Sequence, residues 1–390
     1  MKFIDQKLPE AGDTVVVGLS GGVDSTLTAL LLKEKGCRVI CVTMSLWDGK
    51  LPELGEGKTL HDSCYGPGEI EDIETCKKFC AEHNIEYHVI DVKKAYHDEV
   101  LEYFKAEYRA GRTPNPCIRC NRYIKFGALH LGIKQLNIDY DYFCTGHYAK
   151  IVRPESGLFG SDSKPCMIHT AMDQSKDQTY FLYRVPSDIL EKVRFPLADI
   201  PKKEVFRMAR ERGLAAADRE ESQDFIPDEY FDMLFSDKPS VPGDIIDLDG
   251  KVLGKHRGIE HYTVGQRRGL GVSSAHPLYV HSIDAKNNLV VLASNDDLNS
   301  SALIADDFVW SGNAEPSERI EALVKIRLAS KPVKAFIERY KAAEGESFNG
   351  QPWKIIFETP QRAVAPGQSV VMYNDGVIIG GGIISKTLQV

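Results

Sequence analysis

With 390 residues, 43% hydrophobic and 27% charged, the chain has the composition of a folded globular protein and is too long for one compact core, so two or three domains are expected. A net charge of −8 argues against general nucleic-acid binding and confines any RNA-contacting surface to a local basic patch. No stretch approaches the roughly 20 apolar residues of a membrane span, and the N-terminus lacks the basic-then-apolar order of a signal peptide, so a cytoplasmic protein with no membrane partner is expected. In chain order, strands are expected at 14–18, 38–46, 86–92 and 140–145, with helices at 25–35, 70–83, 95–110 and 123–136. That alternation predicts a helix-covered parallel sheet with ligands at the carboxyl ends of its strands. Residues 151–166, rich in Gly, Ser and Pro, read as a surface loop, and helical periodicity resumes at 178–192 and 201–213. From about residue 275 the pattern becomes all-β, with hairpin signals at Lys286-Asn287 and Asn374-Asp375-Gly376. The expected fold is α/β: a parallel-sheet domain over 1–213, a small mixed central domain over 214–274 and a C-terminal antiparallel β-barrel over 275–390.

The first strand runs directly into Ser20-Gly21-Gly22-Val23-Asp24-Ser25, and an apolar helical run follows. A loop at a strand-to-helix junction points backbone N–H groups and a helix N-terminus at one place, which suits a phosphate. Gly21 and Gly22 permit close backbone approach, Ser20 and Ser25 add hydroxyl donors, and Asp24 is the candidate Mg²⁺ ligand. The loop lacks the Gly-Lys-Ser/Thr ending of a Walker A motif.

Nine cysteines in a cytoplasmic chain do not suggest a disulfide framework. Cys37, Cys41, Cys76 and Cys80 fall on apolar faces of predicted elements, and Cys166 falls in a loop. Cys64, Cys117, Cys120 and Cys144 remain as chemical candidates. Cys117-Ile118-Arg119-Cys120 follows Thr113-Pro114-Asn115-Pro116, a stiff segment able to present side chains into a cleft. A C-x-x-C pair alone suits a redox couple, half a zinc site or iron–sulfur ligation. Arg109, Arg112, Arg119, Arg122 and Lys125 form one basic segment, and Lys251, Lys255, Arg257, Arg267 and Arg268 another. On charge alone, each reads equally as an RNA contact or a solvated face.

Taken together, the motifs resemble the PP-loop ATP pyrophosphatase superfamily (adenine nucleotide alpha hydrolase-like) and, across nearly the full length, the bacterial tRNA-specific 2-thiouridylase family. The matching pieces are Gly18 to Ser25, Gly111 to Pro116, Cys120-Asn121, Ile124 to Phe126, Thr145 to Tyr148, Ser175 to Gln178, His261 to Arg267 and Arg362 to Gln368. The resemblance implies a tRNA-uridine 2-sulfurtransferase that adenylates C2–O of the wobble uridine at position 34 and then inserts sulfur. It implies ATP binding by Gly18, Leu19, Ser20, Gly21, Gly22, Val23, Asp24, Ser25, Met44 and Gly146, with Mg²⁺. It implies contacts to the tRNA anticodon stem-loop by Asn115, Pro116, Cys117, His147, Lys176, Asp177, Gln178, Arg327, Leu328 and Gln368, and catalysis by Cys120, with Cys117 and Asp24. A sulfur donor such as a cysteine desulfurase or sulfur-relay protein is implied as a partner. At 175–178 a purely local reading also holds, because Ser175 and Gln178 have capping-box spacing.

The chain departs from that family in two places. Cys117 stands where aspartate is usual, and Ser222-Gln223-Asp224-Phe225-Ile226 lacks the family's second cysteine; no cysteine follows Cys166. Three readings are open, one of them a catalytically dead paralogue, which the intact ATP and RNA motifs disfavour. Cys117 and Cys120 can act as a persulfide and its resolving thiol. Alternatively, both can join a third cysteine in a [4Fe–4S] cluster, with Cys144 as first choice and Cys64 as second. A small-metabolite amide synthetase or ligase of the same superfamily is the rival function, and a non-catalytic tRNA-binding or iron–sulfur carrier protein is a further alternative.

Overall fold

The computed structural model describes residues 2–49, 64–160, 162–218, 225–226 and 228–389, and the chain divides into two compact units. Unit one comprises Met1–Val100, Cys117–Met233 and Asp375–Ile378. Its strands are β1 (Phe3–Asp5), β2 (Thr14–Gly18), β3 (Arg38–Ser45), β4 (Glu86–Asp91), β5 (Tyr142–Cys144), β6 (Ala149–Pro154), β7 (Met167–Thr170) and β8 (Val193–Arg194). Five of these form a sheet in the order β4-β3-β2-β5-β8, and every pairing within it is parallel. Val15, Val16 and Val17 of β2 are all 0% exposed, as a central strand covered on both faces requires. Helices α1 (Val23–Glu34) and α2 (Glu69–Glu82) follow β2 and β3, and α3 (Lys202–Glu211) contacts α1. The reversal of strand order between β3 and β5 makes the carboxyl end of β2 a switch point, where α/β sheets bind ligands.

Two local expectations fail in this unit. Residues 151–154 of the segment expected as a loop, 151–166, belong to strand β6, which pairs with both β1 and β7; ladder bonds on both edges and a mostly buried run of side chains outweigh the turn-forming residues that follow. The helix expected over 178–192 is only a 3-10 turn at Thr179–Phe181 and a short helix at Ser187–Leu190. Pro186 lies between the two, and a helix does not run through a proline without losing a backbone bond.

Unit two comprises Leu101–Pro116, Leu234–Asn374 and Ile379–Val390. Strands β9 (Gly243–Ile246), β10 (Val252–His256), β11 (Tyr279–Asp284) and β12 (Leu289–Ala293) form a four-stranded sheet in the order β10-β9-β12-β11. β13 (Asn299–Trp310), β14 (Ile320–Lys325), β15 (Val333–Arg339), β16 (Trp353–Arg362), β17 (Ser369–Asn374) and β18 (Val377–Gln389) follow in the order β18-β13-β16-β15-β14-β17, and a β17–β18 pairing closes the barrel. The β11–β12 hairpin, expected inside the barrel, pairs with β9 instead. Sequence periodicity identifies a hairpin but not the sheet it joins; here the core of Ile245, Val280, Val290 and Leu292 decides it.

Candidate functional site

The loop after β2 carries the geometry of an anion cradle. Gly21 sits at φ +78°, a conformation glycine adopts without strain. Ser25 Oγ accepts from the Ser20 amide at 3.1 Å and lies 3.2 Å from Ser20 Oγ, so the two ends of the loop are tied together. No side chain caps α1, and the N–H groups of Gly21 to Ser25 have no acceptor among the described residues. Those orphan donors, at the positive end of the helix dipole, are what a phosphate would satisfy. Gly146 packs against this loop from β5's carboxyl end: a Cβ there would lie 2.7 Å from the Asp24 carbonyl carbon and 2.9 Å from the Ser25 nitrogen. Met44 is half-buried near the end of β3, and the segment after it is pinned by Glu69. That carboxylate accepts from Ser45 Oγ at 2.9 Å, the Leu46 amide at 2.7 Å and the Trp47 amide at 2.9 Å.

Asp24 is not an open metal ligand. Lys202 Nζ donates to both of its oxygens at 2.7 Å, and Tyr148 Oη donates to Oδ1 at 2.8 Å. As placed, the carboxylate does not fit the expected role of holding Mg²⁺. Lys202 lies 178 positions from Asp24, and no local sequence signal links the two.

A second cluster in the same unit gathers sulfur. Cys117 and Cys120 are half-buried, and Cys64 is exposed. Burial, with Cys64 and Cys120 beside it, pushes the Cys117 thiol up to about 12. Burial pushes Cys120 to about 11, against Lys125, which lowers it, and with a further rise from Cys64. The phenol of Tyr96, 1% exposed, has all three cysteines as titratable neighbours. Tyr96 stacks on Tyr65 at 5.4 Å and lies 6.4 Å from Phe225, in the segment where the family's second cysteine is missing. Ser222 to Asp224 lie outside the described residues.

Cys144, the first-choice third ligand, is elsewhere. It is 0% exposed in the sheet core, burial raises its pKa, and its titratable neighbours are Arg194 and Cys37. A small apolar thiol on a central strand packs as a hydrophobe. The third thiol beside the pair is therefore Cys64. Among the described residues no group of three His, Cys, Asp or Glu side chains is arranged to hold a metal ion, so the residues as placed do not fit an iron–sulfur cluster.

The expected RNA-contacting residues fall into separate local settings. In unit one, His147 is bonded to Thr145 Oγ1 at 2.7 Å and ringed by Phe126 and Phe195 at 6.0 and 5.8 Å; burial drives its pKa well below the usual histidine range. Gln178 Oε1 accepts from the Tyr148 amide at 3.0 Å, and Asp177 accepts from Thr179 Oγ1 at 2.7 Å. Ser175 does not cap a helix; its hydroxyl donates to Asp173 at 2.6 Å, and Lys176 lies in the same turn. In unit two, Gln368 Nε2 donates to the carbonyls of Thr113 and Pro114 at 3.0 and 3.3 Å, while the Thr113 amide donates to Pro366 O at 2.8 Å. Two motifs some 250 residues apart in sequence thus form one structure, and Asn115 and Pro116 continue from it. Arg327 and Leu328 lie in an exposed turn closed by Ser330. In the first basic segment, Arg109, Arg112 and Arg119 are paired with Asp237, Glu107 and Glu99.

Family models match three consecutive stretches: a tRNA methyl transferase HUP domain at 13–227, a tRNA methyl transferase PRC-barrel domain at 232–294 and an aminomethyltransferase beta-barrel domain at 300–384. The tRNA-specific 2-thiouridylase MnmA of Endomicrobium trichonymphae is 44% identical over 95% of this chain and 98% of its own length. The chain belongs to the MnmA family. Members from Carboxydothermus hydrogenoformans and Acetivibrio thermocellus are each 39% identical over 96% and 95% of this chain, and 98% of their own lengths. The solved U34-tRNA thiolase NcsA of Methanococcus maripaludis aligns with 53% of this chain and 58% of its own, at 20% identity and a TM-score of 0.32, too loosely to bear on function. Among the described residues no helix is long and apolar enough to cross a membrane.

Proposed function

We propose that this protein is an ATP-dependent sulfurtransferase that thiolates C2 of the wobble uridine, position 34, in tRNA. The anticodon stem-loop is its RNA partner, a cysteine desulfurase or sulfur-relay protein its sulfur source, and the cytoplasm its location. The observation that carries the reading is an anion-cradling loop, with Cys117 and Cys120 and their electrostatic neighbour Cys64 in the same α/β unit, in an MnmA-family chain. The uracil C2 oxygen is a poor leaving group. Its attack on the α-phosphorus of ATP expels pyrophosphate and leaves an adenylate whose departing group is AMP. The donors of Gly21 to Ser25 are the groups that would hold the phosphates, with Met44 and Gly146 flanking the nucleotide.

Sulfur transfer then follows from thiols this chain possesses. The terminal sulfur of a persulfide on Cys120 attacks C2 and AMP leaves. A second cysteine thiolate attacks the remaining Cys120 sulfur, which releases the thiocarbonyl product and forms a protein disulfide that a thiol reductant reopens. Cys117 and Cys64 both stand beside Cys120 electrostatically and supply the thiol that the altered 222–226 segment does not. Lys125 is the cation that favours the Cys117 and Cys120 thiolates. Asn115, Pro116, Cys117, His147, Lys176 to Gln178, Arg327, Leu328 and Gln368 remain the proposed tRNA contacts, reached by a base splayed out of the anticodon loop.

The test is mass-spectrometric detection of 2-thiouridine at position 34, together with tRNA-dependent release of AMP. Cys120→Ala is expected to abolish thiolation while ATP binding survives; retained thiolation removes Cys120 from the mechanism. Iron and acid-labile sulfide are measured on protein purified without oxygen. No iron agrees with the persulfide route, and about four of each per chain would replace it with a [4Fe–4S] route. Pyrophosphate release driven by a small metabolite without tRNA would instead establish the ligase alternative.

A further inference from the structure

A carboxylate in the first turn of a phosphate-binding helix is an electrostatic problem, because it repels the anion the loop is built for. Asp24 occupies that place in α1. Its two oxygens are taken by one ammonium, Lys202 Nζ, at 2.7 Å each, and Oδ1 also accepts from Tyr148 at 2.8 Å. The lysine side chain is 7% exposed and the aspartate side chain 27%, so the cation is the deeper partner. Its ammonium also lies 5.4 Å from the Tyr148 ring centre and 4.9 Å from that of Phe206, faces that stabilise a desolvated cation. The backbone is fixed as well: the Lys202 amide donates to Asp173 Oδ2 at 3.0 Å where α3 begins.

We propose that Lys202 is the resident cation of the phosphate loop: it neutralises and orients Asp24 and supplies the positive charge that faces the nucleotide phosphates. Asp24 therefore acts through the lysine and not as a ligand of Mg²⁺. This rests on the nucleotide site proposed above. A metal ion on Asp24 would have to displace an ammonium held by two charge-assisted hydrogen bonds and two aromatic faces, leaving that ammonium buried without its counter-ion. The lysine is a positioning residue toward Asp24 and a binding residue toward the phosphates.

The experiment measures calorimetric binding of α,β-methylene-ATP to the full chain, once in EDTA and once in saturating Mg²⁺. The proteins are wild type, Lys202→Met, Lys202→Arg, Asp24→Asn and the Lys202→Met/Asp24→Asn double variant. Lys202→Met is expected to weaken binding at least about tenfold, or about 1.4 kcal/mol, in both buffers, and Lys202→Arg to recover part of that loss. Asp24→Asn should change affinity by the same factor with and without Mg²⁺, and the double variant should bind no worse than Lys202→Met alone. The assignment is overturned if Asp24→Asn weakens binding only in Mg²⁺ while Lys202→Met stays within about twofold of wild type, the pattern of a metal ligand. If Lys202→Met does not fold, Lys202→Arg and Asp24→Asn decide the matter by the same comparison between buffers. Wild type that fails to bind the analogue in either buffer would overturn the nucleotide site itself, a result distinct from any pattern among the variants.

Discussion

Gly146→Ala is the sharpest test of the phosphate loop, because the perturbation is one methyl group aimed at backbone. The new carbon would lie 2.7 Å from the Asp24 carbonyl carbon, 2.8 Å from Asp24 Cβ and 2.9 Å from the Ser25 nitrogen. Carbon atoms in ordinary contact stand about 3.5–4.0 Å apart, so loop and β5 must separate by roughly 0.5–1 Å. None of the three atoms is the end of a flexible side chain, so no rotamer change relieves the clash. Overpacking of this kind costs about 1–3 kcal/mol of stability. Misplacing a reactive group by about 1 Å can cost up to ~10²-fold in rate. The expected result is a folded protein with a lowered melting temperature, ATP affinity down at least about tenfold, and tRNA-dependent AMP release down further. Gly254→Ala is the control: a Cβ there meets only Val272 Cγ2 at 3.6 Å, and its effect should stay within about 0.5 kcal/mol. Wild-type ATP affinity and turnover in Gly146→Ala would refute the assignment of this loop to the phosphates.

Lys125→Met removes the cation that lowers the Cys117 and Cys120 pKa values, so both thiols should titrate higher still; iodoacetamide alkylation at pH 8 should slow, and an unchanged rate would remove Lys125 from the thiol environment. Cys64→Ser should impair thiolation if Cys64 is the resolving thiol, whereas Cys144→Ser should alter stability only; the reverse result in the position-34 assay would remove Cys64 from the mechanism and bring Cys144 into it. Gly367→Ala should weaken tRNA binding, because a Cβ at φ +91° would lie 2.8 Å from the Thr113 nitrogen and push away the segment leading to Asn115; a gel-shift titration reads this, and unchanged affinity would detach the Thr113–Pro116 segment from RNA binding. Burial lowers His130 to about 4 from an ordinary value of 6.5. The unfolded chain therefore takes up a proton first as pH falls, so up to about 3 kcal/mol of stability present above pH 6.5 is lost progressively down to pH 4. Urea melts at pH 7.5 and 5 should show His130→Phe losing less than wild type over that interval; equal losses would exclude His130 as a source of acid sensitivity.

The sequence determined those parts of the protein whose physics is local. A valine-rich run ending in Ser-Gly-Gly-x-Asp-Ser can only be a buried strand turning sharply into a helix, and β2, its loop and α1 lie within two residues of the expected bounds. The βα rhythm fixed the parallel sheet, and Asn374-Asp375-Gly376 fixed the final hairpin for the same reason: spacing and turn chemistry act over a few residues. Tertiary structure decided what depends on distant neighbours. Asp24 reads as an open carboxylate until α3 brings Lys202 to it, and Cys144 reads as a strand-end ligand until the sheet closes over it. Cys64, in a stretch without regular periodicity, gains its neighbours Cys117 and Cys120 only through folding. Likewise, the β11–β12 hairpin is legible in sequence, but which sheet receives it depends on the apolar face available to cover it, and that face is built from residues dozens of positions away.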